Sequence, residues 1–479
     1  MQKVRTRFAP SPTGYLHIGG LRTALYGYLY AKKYDGDFVL RIEDTDTARY
    51  VDGSVQIIYD TMRDSGIMYD EGPDVGGNYG PYVQSERKSL YKEYAEKLVE
   101  LGGAYYCFCD KERIESLKDE NGNCRYDKHC LALSKEEIAK RIANGEPYVI
   151  RQNVPAEGVG SYHDLVYGDI SVDYKDIEDG ILLKSDGMPT YNFANVVDDH
   201  LMGITHVIRG TEYLSSTPKY NLMYDAFGWE RPTYIHLPPI MKDATRKLSK
   251  RHGDASYEDF VKKGYVKQAI VNYIALLGWS PKSNTEKMSL DELKANFSLD
   301  GISKSSSIFD EAKMKWLSGE YIKEMSDEEF VETADAFLRE SKVYGKYDLL
   351  KIAKLLKTRV EIFSEIPEKI NFLEEFGEYD LNIYTHKKMK TDLEIAKIVL
   401  PEAKKALEEL SDFTFDGIHD AVMALVSKLG MKNGQVFWCI RVAISGKEST
   451  PGGVMEIAEL LGKEETLRRL DFSINLLNA

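Results

Sequence analysis

Residues 7–26 read Arg-Phe-Ala-Pro-Ser-Pro-Thr-Gly-Tyr-Leu-His-Ile-Gly-Gly-Leu-Arg-Thr-Ala-Leu-Tyr, a loop punctuated by proline and glycine that passes directly into a helix with a histidine at its mouth. This stretch restricts the fold more than any other. Pro10, Pro12 and Gly14 stop the strand before it, and Gly19 and Gly20 let backbone amides approach a ligand without an intervening Cβ. A helix over about residues 21–33 then offers its unbonded N–H groups and positive dipole end to an anion. The layout is a cradle for nucleotide phosphate, with His17 beside it.

The neighbouring segments extend the pattern. Residues 4–8 are β-prone, and residues 37–43 read as a buried strand ending in the polar cluster Glu43-Asp44-Thr45-Asp46, so strand, helix and strand form one parallel βαβ unit. Ligands of such sheets sit at the carboxyl ends of the strands, where Ser11 and Glu43 fall. From about 79 to 184 the texture changes to a helix over 87–101, a Cys/Tyr-rich stretch, and short β-like runs at 148–151 and 169–172, which reads as an insertion. Sheet-type sequence resumes at 206–210, followed by a helix capped at Thr217 with Pro218 at its first position, and by a short strand at 234–237. After Gly253 the chain reads as almost entirely helical, with Leu349, Ile352, Ala353, Leu356 and Val360 on one face and Val436, Cys439, Ile440 and Ala443 on another. Breaks around 319–325 and 377–380 suggest subdomain joints.

A second basic motif lies at residues 247–253, Lys-Leu-Ser-Lys-Arg-His-Gly, preceded by Met241-Lys242-Asp243. Two mobile ammonium groups suit the neutralisation of negative charge on phosphate groups. Residues 287–290, Lys-Met-Ser-Leu, begin in a similar way but lack the second lysine, and read as a helix start.

Composition narrows the remaining classes. The 479 residues are 43% hydrophobic and 29% charged, with no run of eighteen apolar residues and no apolar segment behind Met1, so a soluble, cytoplasmic protein with no membrane role is expected. The net charge of −14 weighs against nucleic-acid binding by the basic-protein rule, although a folded acidic protein can still present a basic face to a phosphate backbone. Five cysteines do not make a disulfide framework, and Cys107, Cys109, Cys124 and Cys130 crowd together as a metal site would. Gly446-Lys447-Glu448 lacks the upstream glycine of a P-loop.

The first motif resembles the first signature of class I aminoacyl-tRNA synthetases, in the glutamyl/glutaminyl subfamily, where His-Ile-Gly-Gly often replaces His-Ile-Gly-His. The segment 247–253 resembles the second signature, Lys-Met-Ser-Lys-Ser. Residues 188–200, 275–281 and 309–322 add further similarity to the bacterial-type glutamyl branch. The fold class this implies is α/β: a Rossmann-like class I catalytic domain with an inserted α/β acceptor-binding domain, followed by an all-α C-terminal anticodon-binding region. The expected boundaries are 1–78 and 187–254 for the catalytic halves, 79–186 for the insertion, 255–322 for a helical stem-contact domain, and 323–377 and 378–479 for two helical anticodon-binding subdomains.

The resemblance implies ATP-dependent ligation of glutamate to tRNA through an adenylate. It places glutamate at Arg7, Ala9, Ser11, Glu43, Tyr191, Asn195 and Arg209, with Arg7 and Arg209 holding carboxylates and Glu43 answering the amino group. His17, Lys247 and Lys250 would be catalytic, and His17, Gly19, Gly20, Glu212, Leu237 and Lys250 would bind ATP. Mg²⁺ follows from ATP chemistry rather than from a visible carboxylate cage, and Asp44 and Asp46 read as packing or capping groups. The expected partners are L-glutamate and tRNA(Glu); a non-discriminating enzyme that also glutamylates tRNA(Gln) is the alternative, and a monomer is expected. Some family members hold zinc through Cys-x-Cys and a later Tyr-x-x-x-Cys, matched here by Cys107, Cys109, Tyr126 and Cys130. His129 or Cys124 would be a more usual fourth ligand than a phenol, and reduced thiols without metal are the other reading.

Overall fold

The computed structural model describes residues 3–46, 49–118, 125–248 and 256–479. Lys250 and Cys124 lie outside the described residues. The chain divides into two compact units, Met1–Phe260 with Ile270–Asp310, and Val261–Ala269 with Glu311–Ala479. The expected segment 255–322 is thus divided between them.

In the first unit, strand β1 (Arg5–Phe8), helix α1 (Ile18–Lys33) and strand β2 (Asp37–Leu40) make the expected βαβ unit, with β1 and β2 parallel in register from Arg5↔Asp37 to Phe8↔Leu40. All four residues of β1 are buried, as are Leu21, Ala24, Leu25, Tyr28 and Leu29 on α1. Helix α1 begins earlier than expected, so Gly19 and Gly20 belong to its first turn. The reason is that His17 acts as N-cap: its Nδ1 accepts from the Gly19 amide at 3.0 Å.

Helices α2 (Ser54–Asp64) and α3 (Lys88–Glu100) follow, then β3 (Ala104–Cys107), the short helices α4 (Lys111–Glu115) and α5 (Lys135–Ala143), β4 (Val149–Gln152), β5 (Val159–Asp164), β6 (Gly168–Asp173) and β7 (Ile181–Leu183). Strands β3, β4 and β7 form an antiparallel sheet, over which α3 packs Tyr91, Ala95 and Leu98. The β5–β6 hairpin does not join that sheet. With α6 (Tyr191–Leu201), β8 (His206–Gly210), α7 (Thr217–Phe227) and β9 (Thr233–Leu237) in place, β5 pairs in parallel with β9, giving a sheet of order β6-β5-β9-β8.

Thr217 is not the cap of α7. Ser216 holds that position without a side-chain capping bond, its hydroxyl donating to Tyr213 O at 3.2 Å, while the Thr217 hydroxyl donates to Tyr213 O at 2.7 Å. The short pair β10 (Ile240–Met241) and β11 (Ser307–Ile308) is parallel. Helices α8 (Tyr257–Lys262) and α9 (Lys267–Leu276) lead to α10 (Leu290–Asn296), whose N-cap Ser289 forms a capping box with Glu292. The sequence beginning at Lys287 is therefore a helix start, as expected.

The second unit is helical from α11 (Glu311–Glu324) through α12 (Asp327–Thr333), α13 (Asp335–Glu340), α14 (Leu349–Leu356), α15 (Ile366–Glu374), α16 (Leu393–Glu408), α17 (Phe415–Leu429), α18 (Asn433–Ser445) and α19 (Val454–Asn478). Ile352, Ala353, Leu356, Val360, Val436, Cys439, Ile440 and Ala443 all enter its core. The break expected over 319–325 comes at the end of that range, after Glu324, and Gly319 lies within α11, where a Cβ would lie 3.2 Å from the Glu361 side chain. Among the described residues no helix is long and apolar enough to cross a membrane.

Candidate active site

A cavity of about 620 Å³ opens where β1, the residues after β2, and β8 end. Its lining includes Arg7, Ala9, Ser11, Gly20, Glu43, Tyr191, Arg209 and Glu212, eight of the residues expected from sequence. His17, Gly19, Asn195, Leu237 and Lys247 do not line it. Asn195 is buried and donates from Nδ2 to Tyr191 O at 2.6 Å, one turn back along α6, so it braces the helix that carries Tyr191. Leu237 is buried at the end of β9.

The charged side chains facing this cavity are held by partners the sequence reading missed. Arg7 donates from Nε to both oxygens of Asp199, at 3.0 and 3.2 Å. Arg41, with no exposed side-chain surface, donates to Asp199 at 2.7 Å and to Glu43 at 3.0 Å. The adjacent Asp198 accepts from Arg87 at 2.7 Å, Gln84 at 2.9 Å and Tyr91 at 2.9 Å. Burial pushes the Glu43 carboxyl up to about 7, against the pull of Arg41 and Arg7. Asp199 is buried too, yet Arg7 and Arg41 hold it below the usual carboxylate value. A signal for Arg41 was present: an arginine between the apolar run Phe38-Val39-Leu40 and Ile42 must find a buried partner.

Arg209 stands in a separate frame. Its Nε donates to His236 Nε2 at 3.2 Å and its Nη2 to Thr217 Oγ1 at 2.7 Å. The rings of Tyr213, Tyr220 and Tyr234 lie 4.9, 4.8 and 5.4 Å from the guanidinium carbon.

At the mouth of α1, His17 Nδ1 is an acceptor, so a neutral ring carries its proton on Nε2. Arg22, one turn further along, donates to Leu277 O at 3.0 Å and to Pro238 O, fixing the helix against the segment after β9. That segment continues as a hairpin in which Lys242 N bonds Arg246 O at 2.8 Å and Leu248 N bonds Ile240 O at 3.1 Å. Asp243 makes the turn by accepting from the Thr245 and Arg246 amides, both at 3.0 Å, and Lys247 stands exposed on the returning side. Asp44 accepts from Ser85 N and Oγ at 2.8 and 2.6 Å, and Asp46 pairs with Arg49 at 2.6 Å. Both carboxylates are thus engaged with protein groups.

The thiols of Cys107, Cys109 and Cys130 lie within 4.8 Å of one another. Cys109 and Cys130 Sγ are 3.6 Å apart, and Tyr126 Oη is 3.3 Å from both Cys107 and Cys109 Sγ. Two sulfurs bound to a tetrahedral zinc at about 2.3 Å stand about 3.8 Å apart, so the donor set fits that ion. Arg151 donates to Cys107 Sγ at 3.4 Å, as an outer partner of a thiolate would. His129 is exposed and is not part of this group.

Residues 3–316 match the family described as tRNA synthetases class I (E and Q), catalytic domain, and residues 329–474 match the family described as anticodon binding domain. A glutamate–tRNA ligase of Clostridium novyi is 58% identical over 481 residues, covering 99% of this chain and 98% of that relative. One from Clostridium kluyveri is 57% identical over 482 residues, covering 100% and 99%. A solved structure of a glutamate tRNA ligase from Elizabethkingia meningosepticum, in complex with its amino acid, superposes with a TM-score of 0.90 at 36% identity, covering 99% of this chain and 100% of that one. The glutamate-tRNA synthetase of Elizabethkingia anophelis gives 0.88 at 36% identity with the same coverage. With two buried arginines and a buried carboxyl facing one cavity beside a helix mouth, and with these matches along its length, the chain belongs to the class I tRNA synthetases of the E and Q type, carrying a catalytic domain and an anticodon-binding domain.

Proposed function

We propose that the chain ligates L-glutamate to tRNA(Glu) in two steps. The α-carboxylate of glutamate attacks the α-phosphorus of ATP, forming glutamyl-adenylate and releasing pyrophosphate; the terminal ribose hydroxyl of tRNA then attacks the acyl carbon and AMP leaves. The observation that carries this reading is the placement of Arg7, Arg209 and Glu43 around one cavity, the buried charges of its lining being two cations and one anion for a substrate with two carboxylates and one ammonium.

In this reading Arg7 and Arg209 hold the carboxylates and Glu43 the amino group, while Ala9, Ser11 and Tyr191 shape the floor and Asn195 acts by bracing α6. The nucleophile is ionised at neutral pH without help from a base, so orientation and charge stabilisation carry the rate. His17, Gly19 and Gly20 at the start of α1, with Lys247 and Lys250, supply positive potential to the ATP phosphates. Glu212 and Leu237 border the nucleotide. Mg²⁺ enters with ATP as a counter-ion to its phosphates. Zinc on Cys107, Cys109 and Cys130, with Tyr126 completing the set, would supply a structural cross-link under β3.

The test is charging of purified tRNA(Glu) and tRNA(Gln) with labelled glutamate and with labelled glutamine. Transfer of glutamate to tRNA(Glu), with none of glutamine, is the expected result, and glutamine transfer would overturn the reading. Glutamate on tRNA(Gln) would identify the non-discriminating form.

A further inference from the structure

Two residues outside the cavity make a buried chain that ends on Arg209. Asp164 and His236 have no exposed side-chain surface. His236 Nδ1 is 2.7 Å from Asp164 Oδ2, and its Nε2 accepts from Arg209 Nε at 3.2 Å. Since Nε2 faces an N–H that never deprotonates, it must be an acceptor, and the ring proton is on Nδ1, toward Asp164.

Asp164 in turn accepts from four donors: His236 Nδ1, His236 N at 3.1 Å, Val166 N at 2.9 Å and Tyr167 N at 2.8 Å. Only an ionised carboxylate offers acceptors to all four. Although burial opposes ionisation, the His236 bond and the Tyr167 and Val166 amides hold Asp164 below the usual carboxylate value. The carboxylate therefore fixes the imidazole tautomer, and the imidazole fixes one edge of the guanidinium.

From this geometry we infer that Asp164 and His236 are positioning residues for recognition of a substrate carboxylate, acting through Arg209. The inference rests on the reading that Arg209 binds glutamate. Of the five N–H donors of an arginine, Nε is used on His236 and one Nη2 hydrogen on Thr217, which leaves three for a ligand. With the Nε edge pinned and tyrosine rings around the group, those three are held in one plane and direction before the substrate arrives. Without the imidazole acceptor the guanidinium can turn about its last side-chain bonds, and two-point contact with a carboxylate is lost for part of the time.

The test compares His236→Asn, His236→Gln, Asp164→Asn and Arg209→Lys in the full chain, measuring the glutamate KM, the ATP KM, kcat for charging and the unfolding midpoint. An asparagine amide reaches the Nδ1 position and keeps Asp164 bonded, but offers nothing to Arg209; a glutamine oxygen reaches the Nε2 position and restores the acceptor. The expected result is a glutamate KM raised about 10- to 100-fold in His236→Asn with ATP KM and kcat little changed, and a KM restored toward wild type in His236→Gln. Asp164→Asn should resemble His236→Asn where it folds; the two His236 variants decide the matter if it does not. Equal effects of Asn and Gln, or changes confined to the unfolding midpoint, would overturn the inference in favour of packing alone. A raised KM in Arg209→Lys with a normal KM in His236→Asn would overturn the inference and leave the Arg209 reading standing, whereas a normal KM in Arg209→Lys would remove both.

Discussion

Glu43 carries its charge at a cost set by its surroundings. Burial raises its carboxyl to about 7 while Arg41 and Arg7 pull the other way, and Asp199, Tyr191 and Tyr220 are further titratable groups near it. Binding of a substrate ammonium needs the ionised form. Since the protonated form gains population as pH falls through about 7, the glutamate KM is expected to rise from pH 8 to pH 6. Glu43→Gln, which is uncharged throughout, should have a high and nearly flat KM over that range; a flat wild-type profile would contradict the assignment. At the cysteine cluster, metal analysis of purified protein is expected to find about one zinc per chain and much less in Cys109→Ser, the loss expected when one thiolate of a four-ligand site is removed. That Arg7, Arg209 and Glu43 share one cavity agrees with the sequence reading, in which their charges suit the proposed substrate. His236 and Asp164 were not, since they act on Arg209 across a pairing that only the folded sheet creates.

Elements show where local chemistry decides and where it does not. The helix start read at 287–290 is held by a cap at Ser289, where serine followed by Glu292 satisfies two helix-end amides reciprocally. Ser289→Ala is expected to lower stability by about 1 kcal/mol without changing charging, as measured by denaturant unfolding alongside activity. Lys287→Ala should likewise leave charging unchanged, whereas Lys250→Ala should slow adenylate formation about 100-fold or more, the scale for removing one stabiliser of transition-state charge; similar rates in both variants would mean that the wrong basic segment has been assigned to the phosphates. The start of α1 was misplaced because glycines read as loop, and it is the His17 ring that extends the helix over them. Thr217 was mistaken for a cap for a related reason: its hydroxyl turns inward to Arg209 and Tyr213.

For the whole molecule, the helical second unit was legible from the spacing of Ile352, Leu356, Val436 and Ile440, because a core built from periodic helices repeats its pattern locally. Membership of β5 was not legible, since its partner β9 follows some seventy residues later and nothing in 159–173 names it. Each unit encloses buried apolar clusters of its own. Calorimetry is accordingly expected to resolve two transitions, with ATP and glutamate together raising only that of the unit containing Arg7 and Arg209; a single transition shifted as a whole would refute this. The route of the β5–β6 hairpin has a practical consequence for anyone trimming the enzyme to a smaller catalyst. Excising residues 79–186 as a dispensable appendage would carry away Asp164, and the shortened protein would retain the loop before α1 while losing the carboxylate that holds His236 against Arg209, the arginine proposed to grip the amino acid.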